Sequence, residues 1–285
     1  MMSTQTKHRA RSLGVNTYSY IWSTPVADCL RQLDALGYRE FELVLNPPHL
    51  ALDEFAPAER KRLAASLAAS GLVVRSLNVP SLDHNLASPM RRMRQYSVNL
   101  FLDAIDLAAD LGAAHLVVVP GRMSPLFAPP LRQREAWMRE SLDALVPHAQ
   151  RRGVTLALEN VPFASFPDAN TLGAFVREYA SPALGVCYDA ANAHFIGESP
   201  AAGLRVLREL VRLVHLSDTT RDAWRHDEVG LGDVPFAEVP AALDDINFDG
   251  ACMLEIISNE PARAIQRSHH ALTAFGFAPL VQGAA

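Results

Sequence analysis

No stretch of this chain approaches the run of about eighteen apolar residues that a membrane-crossing helix needs, so no span and no membrane partner are expected. Cysteine is scarce. Cys29, Cys187 and Cys252 form an odd set without close spacing, which excludes a disulfide framework and suits small buried thiols in a reducing compartment. Positive charge is in deficit, with 26 Lys and Arg against 31 Asp and Glu and a net charge of −5. Nucleic-acid binders normally carry a basic excess, so no nucleic-acid partner is expected. A secretory h-region is missing too: MMSTQTKHRAR is polar and basic. Residues 1–11 are expected to be a disordered tail, residues 12–285 one domain, and the location the cytoplasm. What remains is ample core material, 49% hydrophobic by composition with a mean hydropathy of +0.05.

One cycle recurs along the chain. A short β-branched or leucine-rich run gives way to a polar loop, an amphipathic stretch, a glycine, and the next apolar run. Gly37, Gly71, Gly112 and Gly153 stand where helices should end, because glycine takes the left-handed conformation without a Cβ penalty. Strands are predicted at Leu13–Thr17, Glu40–Val44, Val73–Asn78, Leu116–Pro120, Thr155–Glu159, Gly185–Asp189, Leu213–His215 and Cys252–Ile256. The first helix should start with Thr24 as N-cap and Pro25 at its first position. Met93, Tyr96, Leu100, Ala104, Leu107 and Leu111 suggest one apolar helix face. Eight βα units without a composition break predict a single closed (β/α)8 TIM barrel, class α/β. An open doubly wound sheet is disfavoured, since GVNTYSY after the first strand lacks the glycine spacing of a phosphate-binding turn.

In the second half, four apolar runs end in residues able to bind a divalent metal: VTLALE at Glu159, LGVCYD at Asp189, VRLVH at His215 and ACMLE at Glu255. An unpaired charge against apolar walls is strongly disfavoured. Each residue alone reads as a solvated carboxylate or a capping histidine. Four at successive strand ends read as one cluster. The C-terminal ends of barrel strands form the functional face, so these side chains are expected to converge around one ion. Three carboxylates and an imidazole suit Mn²⁺, Mg²⁺, Co²⁺ or Zn²⁺.

The segments LALEN, CYDAANAHFIGESP, VHLSDTTR, RHDEVGLGDVPF and LEI resemble the xylose-isomerase-like barrel superfamily of sugar isomerases and epimerases, which also contains type IV apurinic endonucleases. The pattern is nearest to ketose 3-epimerases and related keto-polyol isomerases. The resemblance implies metal ligation by Glu159, Asp189, His215 and Glu255, with Glu159 and Glu255 doubling as acid–base groups. It also implies a small sugar or polyol as partner, self-association as a possible homo-oligomer, and Mn²⁺ as the first choice of cofactor. Moving a stereocentre beside a carbonyl requires removal of a weakly acidic proton. A cation bridging the carbonyl and a neighbouring hydroxyl would hold the enediolate, and two carboxylates could exchange protons with its faces.

Several residues could complete the site. Arg221 follows His215 where epimerases place a sugar-contacting arginine, against the alternative of a surface arginine. His226 fits a loop pattern of the superfamily and is otherwise a packed loop residue. Asn192 stands where ketose 3-epimerases carry a histidine; an amide can bond a hydroxyl but cannot take up a proton. Trp22 and Trp224 fall in βα loops, as an apolar wall over a sugar ring or as buried loop anchors. Glu42, Asn78, His84, Asn85 and Arg122 could reach the mouth, Asp218 could orient His215 or its loop, and His194 reads as a packed histidine. The expected activity is metal-dependent isomerisation or epimerisation of a small ketose or keto-polyol. A dehydratase acting on a keto-polyol or a 3-dehydroshikimate-like substrate shares the first step. A phosphodiesterase is disfavoured by Asn192, by Pro120–Gly121 at the strand-four end and by the acidic balance. An accessory subunit that needs a partner for catalysis stays open.

Overall fold

Eight parallel strands close on themselves in sequence order, each hydrogen-bonded to its neighbour and the last to the first, in a computed structural model describing residues 9–280. The strands are β1 (Leu13–Asn16), β2 (Glu40–Val44), β3 (Val73–Asn78), β4 (His115–Val118), β5 (Thr155–Glu159), β6 (Leu184–Asp189), β7 (Val211–Leu216) and β8 (Ala251–Leu254). Around them run α1 (Val26–Ala35), α2 (Pro57–Ser70), α3 (Arg91–Asp110), α4 (Leu131–Arg152), α5 (Ala169–Tyr179), α6 (Ala190–Phe195), α7 (Pro200–Leu207), α8 (Val239–Asp245) and α9 (Pro261–Thr273). This is the single TIM barrel read from the chain.

The barrel interior is narrow, and the sequence supplies small or medium side chains for it. Val117, Ala157, Cys187 and Leu213 form a separate buried cluster, with Ala251 against it. A Cβ at Gly14 would meet the Met253 sulfur and crowd the Glu40 carbonyl, so glycine there leaves room for the Met253 side chain. The larger core lies between strands and helices, where Leu33, Leu107, Leu142 and Leu172 are fully buried. Each such leucine contributes about 1.5–3 kcal/mol. All three cysteines are buried and unpaired. Among the described residues no helix is long and apolar enough to cross a membrane.

The four predicted helix-end glycines all take positive φ, between 64° and 96°. Two local expectations need correction. Pro25, not Thr24, is the N-cap of α1, because its ψ of 146° is extended and the helix begins at Val26. The buried face of α3 runs through Arg94, Ser97, Val98, Phe101, Ala104, Ile105, Leu107 and Ala108. Ala104 and Leu107 lie on it as expected and Leu111 is buried just beyond, whereas Met93 and Leu100 are half-buried and Tyr96 is 57% exposed. The expected stripe holds in the second half of the helix and drifts off the buried face in the first. Of the expected tail, residues 1–8 lie outside the described residues. Arg11 is buried, with an Nη2–Asp244 ion pair of 2.7 Å and a hydrogen bond to the Phe248 carbonyl.

Candidate metal centre and active site

Register sets the site. Asp189 is paired with His215 across β6 and β7, and Glu159 with Cys187 across β5 and β6. Glu255 follows the last residue of β8, and its backbone N–H donates to the Leu216 carbonyl, which keeps it at the rim. One ligand atom from each of Glu159, Asp189, His215 and Glu255 lies within 4.8 Å of the others. All four are buried, Asp189 and His215 completely. The expected convergence is present.

The hydrogen bonding around the four is asymmetric. Asp189 caps α6 through Oδ1, which accepts from the Asn192 backbone N–H. Its Oδ2 is buried without a hydrogen-bond partner. Burial holds the Asp189 carboxyl up at about 6, with the Glu255 charge adding to the rise and His226 and His215 opposing it. Asn160, next to Glu159, clamps β5 to β6. Its side chain donates to the Asp189 carbonyl and accepts from the Asp189 N–H, at 3.0 and 2.7 Å.

His215 Nδ1 faces the cluster, 3.1 Å from Glu255 Oε2 and 3.5 Å from Glu159 Oε1. Its Nε2 looks the other way, across the barrel, 3.0 Å from Glu42 Oε1. The angle falls short of a hydrogen bond, so that contact is chiefly electrostatic. Burial disfavours the imidazolium, but Cys187, Glu42 and Glu255 together raise the His215 pKa well above its usual value. Of these the two carboxylates are the physical anions, because burial also keeps the Cys187 thiol protonated. Glu42 is fully buried beneath the cluster rather than at the mouth. It accepts from Asn16 Nδ2 (2.6 Å), Ser76 Oγ (2.5 Å) and Asn78 Nδ2 (3.1 Å). Burial opposes its ionisation, yet His215, Ser76 and Asn78 hold its pKa below the usual carboxylate range.

Above the cluster opens a cavity of about 630 Å³, lined by Glu159, Glu255, Asn192 and His226 among others. Asn192 Nδ2 sits 3.4 Å from Glu159 Oε1, and Trp224 Nε1 donates to Asn192 Oδ1 at 2.6 Å. His226 Nδ1 is 3.0 Å from Ser217 Oγ and 3.4 Å from Glu255 Oε2. Arg122 lines the cavity, with Nη1 committed to the carbonyls of Ser81 and Leu82. Asn78 lines it as well.

Other candidates lie elsewhere. Trp22 is 68% exposed, Arg221 is exposed, and neither lines the cavity. His84 packs edge-on against Phe101 instead of reaching the mouth. Asn85 braces the Arg122 backbone. Asp218 serves its loop and not His215, accepting from the backbone N–H of Thr219, Gly230 and Val234. A Cβ on Gly232 would collide with the Thr219 carbonyl and Asp218 Oδ1, so the loop closes only around glycine there. His194 is packed against Asp233, 2.7 Å away.

Sequence reasoning passed over Tyr18, Phe163 and Asn160. Tyr18 lines the cavity; burial, then the charges of Glu255 and Glu159, raise its pKa, so it stays a neutral hydroxyl. Tyr18 lies two residues past the end of β1, and Asn160 adjoins a ligand, which could have flagged both. Nothing local marks Phe163.

A parallel eight-stranded barrel with a buried Glu-Asp-His-Glu set beneath a rim cavity defines a class: TIM-barrel proteins equipped for a metal centre. Residues 30–275 match the xylose isomerase-like TIM barrel family, and the chain belongs to that family. An uncharacterised protein of Methanocaldococcus jannaschii is 28% identical over 187 residues, so the match spans 63% of that relative and 63% of this chain. Fructoselysine 3-epimerase of Escherichia coli O157:H7 is 23% identical over 250 residues, 83% of this chain and 88% of its own. The crystal structure of a D-tagatose 3-epimerase-like protein has a TM-score of 0.80 at 23% identity, covering 93% of this chain and 96% of the other.

Proposed function

We propose that this protein is a divalent-metal-dependent isomerase or epimerase of a small ketose or keto-polyol. The observation that carries this reading is the Oδ2 of fully buried Asp189, which has no hydrogen-bond partner and lies 3.8 Å from His226 Nδ1, beside three further ligand groups within 4.8 Å. A buried carboxylate oxygen with no donor is costly, and a cation among the four groups removes that cost. The residues therefore fit the group. Glu159, Asp189, Glu255 and His215 through Nδ1 would hold it, and this oxygen-rich set favours Mn²⁺, with Mg²⁺, Co²⁺ or Zn²⁺ as alternatives. When bound, the ion supplies a Lewis acid that polarises a carbonyl and its neighbouring hydroxyl.

The proton work falls to Glu159 and Glu255. One carboxylate takes the proton from the carbon beside the carbonyl, and the C–H electron pair shifts toward the carbonyl oxygen. The other group, as a carboxylic acid, returns a proton: to the opposite face of the same carbon for epimerisation, or to the former carbonyl carbon for isomerisation. In isomerisation the neighbouring hydroxyl passes its proton to the former carbonyl oxygen and becomes the new carbonyl. Asn192 steadies Glu159, and Trp224 steadies Asn192. His226 stands beside Glu255. Tyr18, kept neutral, offers a hydroxyl donor to the substrate. Family membership and the relative named fructoselysine 3-epimerase support a keto-sugar substrate.

The test is proton NMR of the Mn²⁺-loaded protein in D₂O with a panel of ketoses and keto-polyols. Deuterium should enter next to the carbonyl with the molecular formula retained; loss of water would instead establish a dehydratase. Glu159→Gln and Glu255→Gln should each fold, keep part of the metal through the amide oxygen, and slow exchange by about 10²–10⁴-fold. Full activity in either variant removes that residue from proton transfer.

A further inference from the structure

The cavity is larger and more apolar than a free sugar requires. Pockets of about 300–1,000 Å³ hold drug-sized ligands, and this one, at about 630 Å³, lies well inside that range, whereas an unadorned six-carbon ketose is far below drug size. Its hydrogen-bonding groups suited to hydroxyls (Tyr18, Asn78, Asn192, His226) accompany the carboxylates of Glu159 and Glu255. Beyond them stands a wall of another kind. The Met123 N–H donates to the Phe163 carbonyl, which ties the loop after β4 to the loop after β5. Phe163 meets Trp224 of the loop after β7 edge-to-face at 5.4 Å. Three loops thus bring Met123, Phe163 and Trp224 to the cavity lining, where the Phe163 and Trp224 rings touch and the Met123 sulfur accepts from Arg134 Nη1.

That surface is built and uncovered. Phe163 and Trp224 each remain 40% exposed. The indole N–H of Trp224 is already spent on Asn192 at 2.6 Å, so what the ring offers the cavity is apolar. A ring locked by a hydrogen bond loses little freedom on binding, which favours affinity. Leu126 and Phe127, just past the lining residue Pro125, are 93% and 90% exposed. Arg122 Nη1 donates to two carbonyls, and Arg225 lies 3.7 Å from Asp227. The exposed faces of Phe163 and Trp224 themselves carry no charge, so a group placed against them gains most when it is apolar.

Resting on the keto-sugar reading above, we propose that the substrate is a ketose carrying an aryl-sized apolar substituent, seated on the Met123–Phe163–Trp224 wall while its carbonyl end meets the carboxylates. Phe163 is then a specificity-determining residue that never touches the reacting carbon.

Calorimetric titration of the Mn²⁺-loaded protein tests this with two probes, D-fructose and a deoxyfructose bearing a p-tolylamino group on its first carbon. The tolyl compound should bind at least about tenfold more tightly, equivalent to roughly 1.4 kcal/mol. Phe163→Ala should shrink that ratio severalfold, and Phe163→Leu should restore part of it, which a purely structural role for Phe163 would not do. Equal binding of the two probes, or a ratio unmoved by Phe163→Ala, overturns the inference. A preference that vanishes when protein concentration rises assigns the wall to a second copy of the chain and overturns it as well. Deuterium exchange on the same probes separates the two readings. Exchange without a tolyl preference sinks only the subsite, whereas a tolyl preference without exchange on any ketose sinks the proposed activity and leaves an apolar-ligand site.

Discussion

Replacing Glu42 by glutamine isolates the electrostatic support of the metal centre from its shape. Glu42 Oε1 accepts from Asn16 and Asn78 and lies 3.0 Å from His215 Nε2, while Oε2 accepts only from Ser76 Oγ. A glutamine with its oxygen at the Oε1 position keeps the first set. Its amide would face Ser76, whose hydroxyl can turn to accept. Packing should survive, and only the negative charge behind His215 is lost. A carboxylate on the far nitrogen of a ligating histidine fixes the tautomer and raises its basicity; its removal typically weakens metal binding 10–100-fold, roughly 1.4–2.7 kcal/mol. Mn²⁺ titration calorimetry on Glu42→Gln reads this directly, with thermal unfolding of the metal-free variant as a control for the fold. Glu42→Leu should do more harm, since it leaves buried donors unanswered and costs about 3–5 kcal/mol. Wild-type Mn²⁺ affinity in a well-folded Glu42→Gln protein would refute the reasoning.

Burial holds the Asp189 carboxyl at about 6, above the usual value near 4, so without metal the folded protein binds this proton more tightly than the unfolded chain. Its stabilising contribution is complete below about pH 4 and lost as pH rises through about 6, up to roughly 3 kcal/mol. Urea unfolding of metal-free wild type against Asp189→Asn should show their difference drift in that direction across this window, and a flat difference rejects it. Mn²⁺ affinity should fall as pH drops through the same range, since a ligating carboxylate must be ionised; a pH-independent affinity rules Asp189 out as a ligand. Gly232→Ala forces a methyl group onto the Thr219 carbonyl and Asp218 Oδ1. It should cost about 1–3 kcal/mol by overpacking in thermal unfolding and loosen the loop that carries His226; an unchanged melting temperature would mean that the loop relaxes freely.

Legibility followed locality. Strand positions were readable to within two residues because each βα unit announces itself through a short apolar run and a glycine that must take positive φ. The metal set was readable for the same reason: a charge ending a buried strand is anomalous wherever the strand lies. Glu42 shows where this fails. From REFELVL it looked like a rim residue, since alternation puts Glu40 and Glu42 on one side. In the fold, Glu40 pairs with Arg75 at the exposed end, while Glu42 reaches across the barrel to His215.

The chain by itself determined the barrel, the order of its strands and the identity of the residues at their ends, because period, helix stops and the cost of buried charge act over a few neighbouring positions. Only the tertiary structure decided which imidazole nitrogen faces the carboxylates, which oxygen of Asp189 has no donor, and that Trp22 and Arg221 stand outside the cavity while Phe163 and Trp224 wall it. Those facts depend on closure of eight strands and on contacts between loops far apart in sequence. No local pattern encodes the angle at which such parts meet.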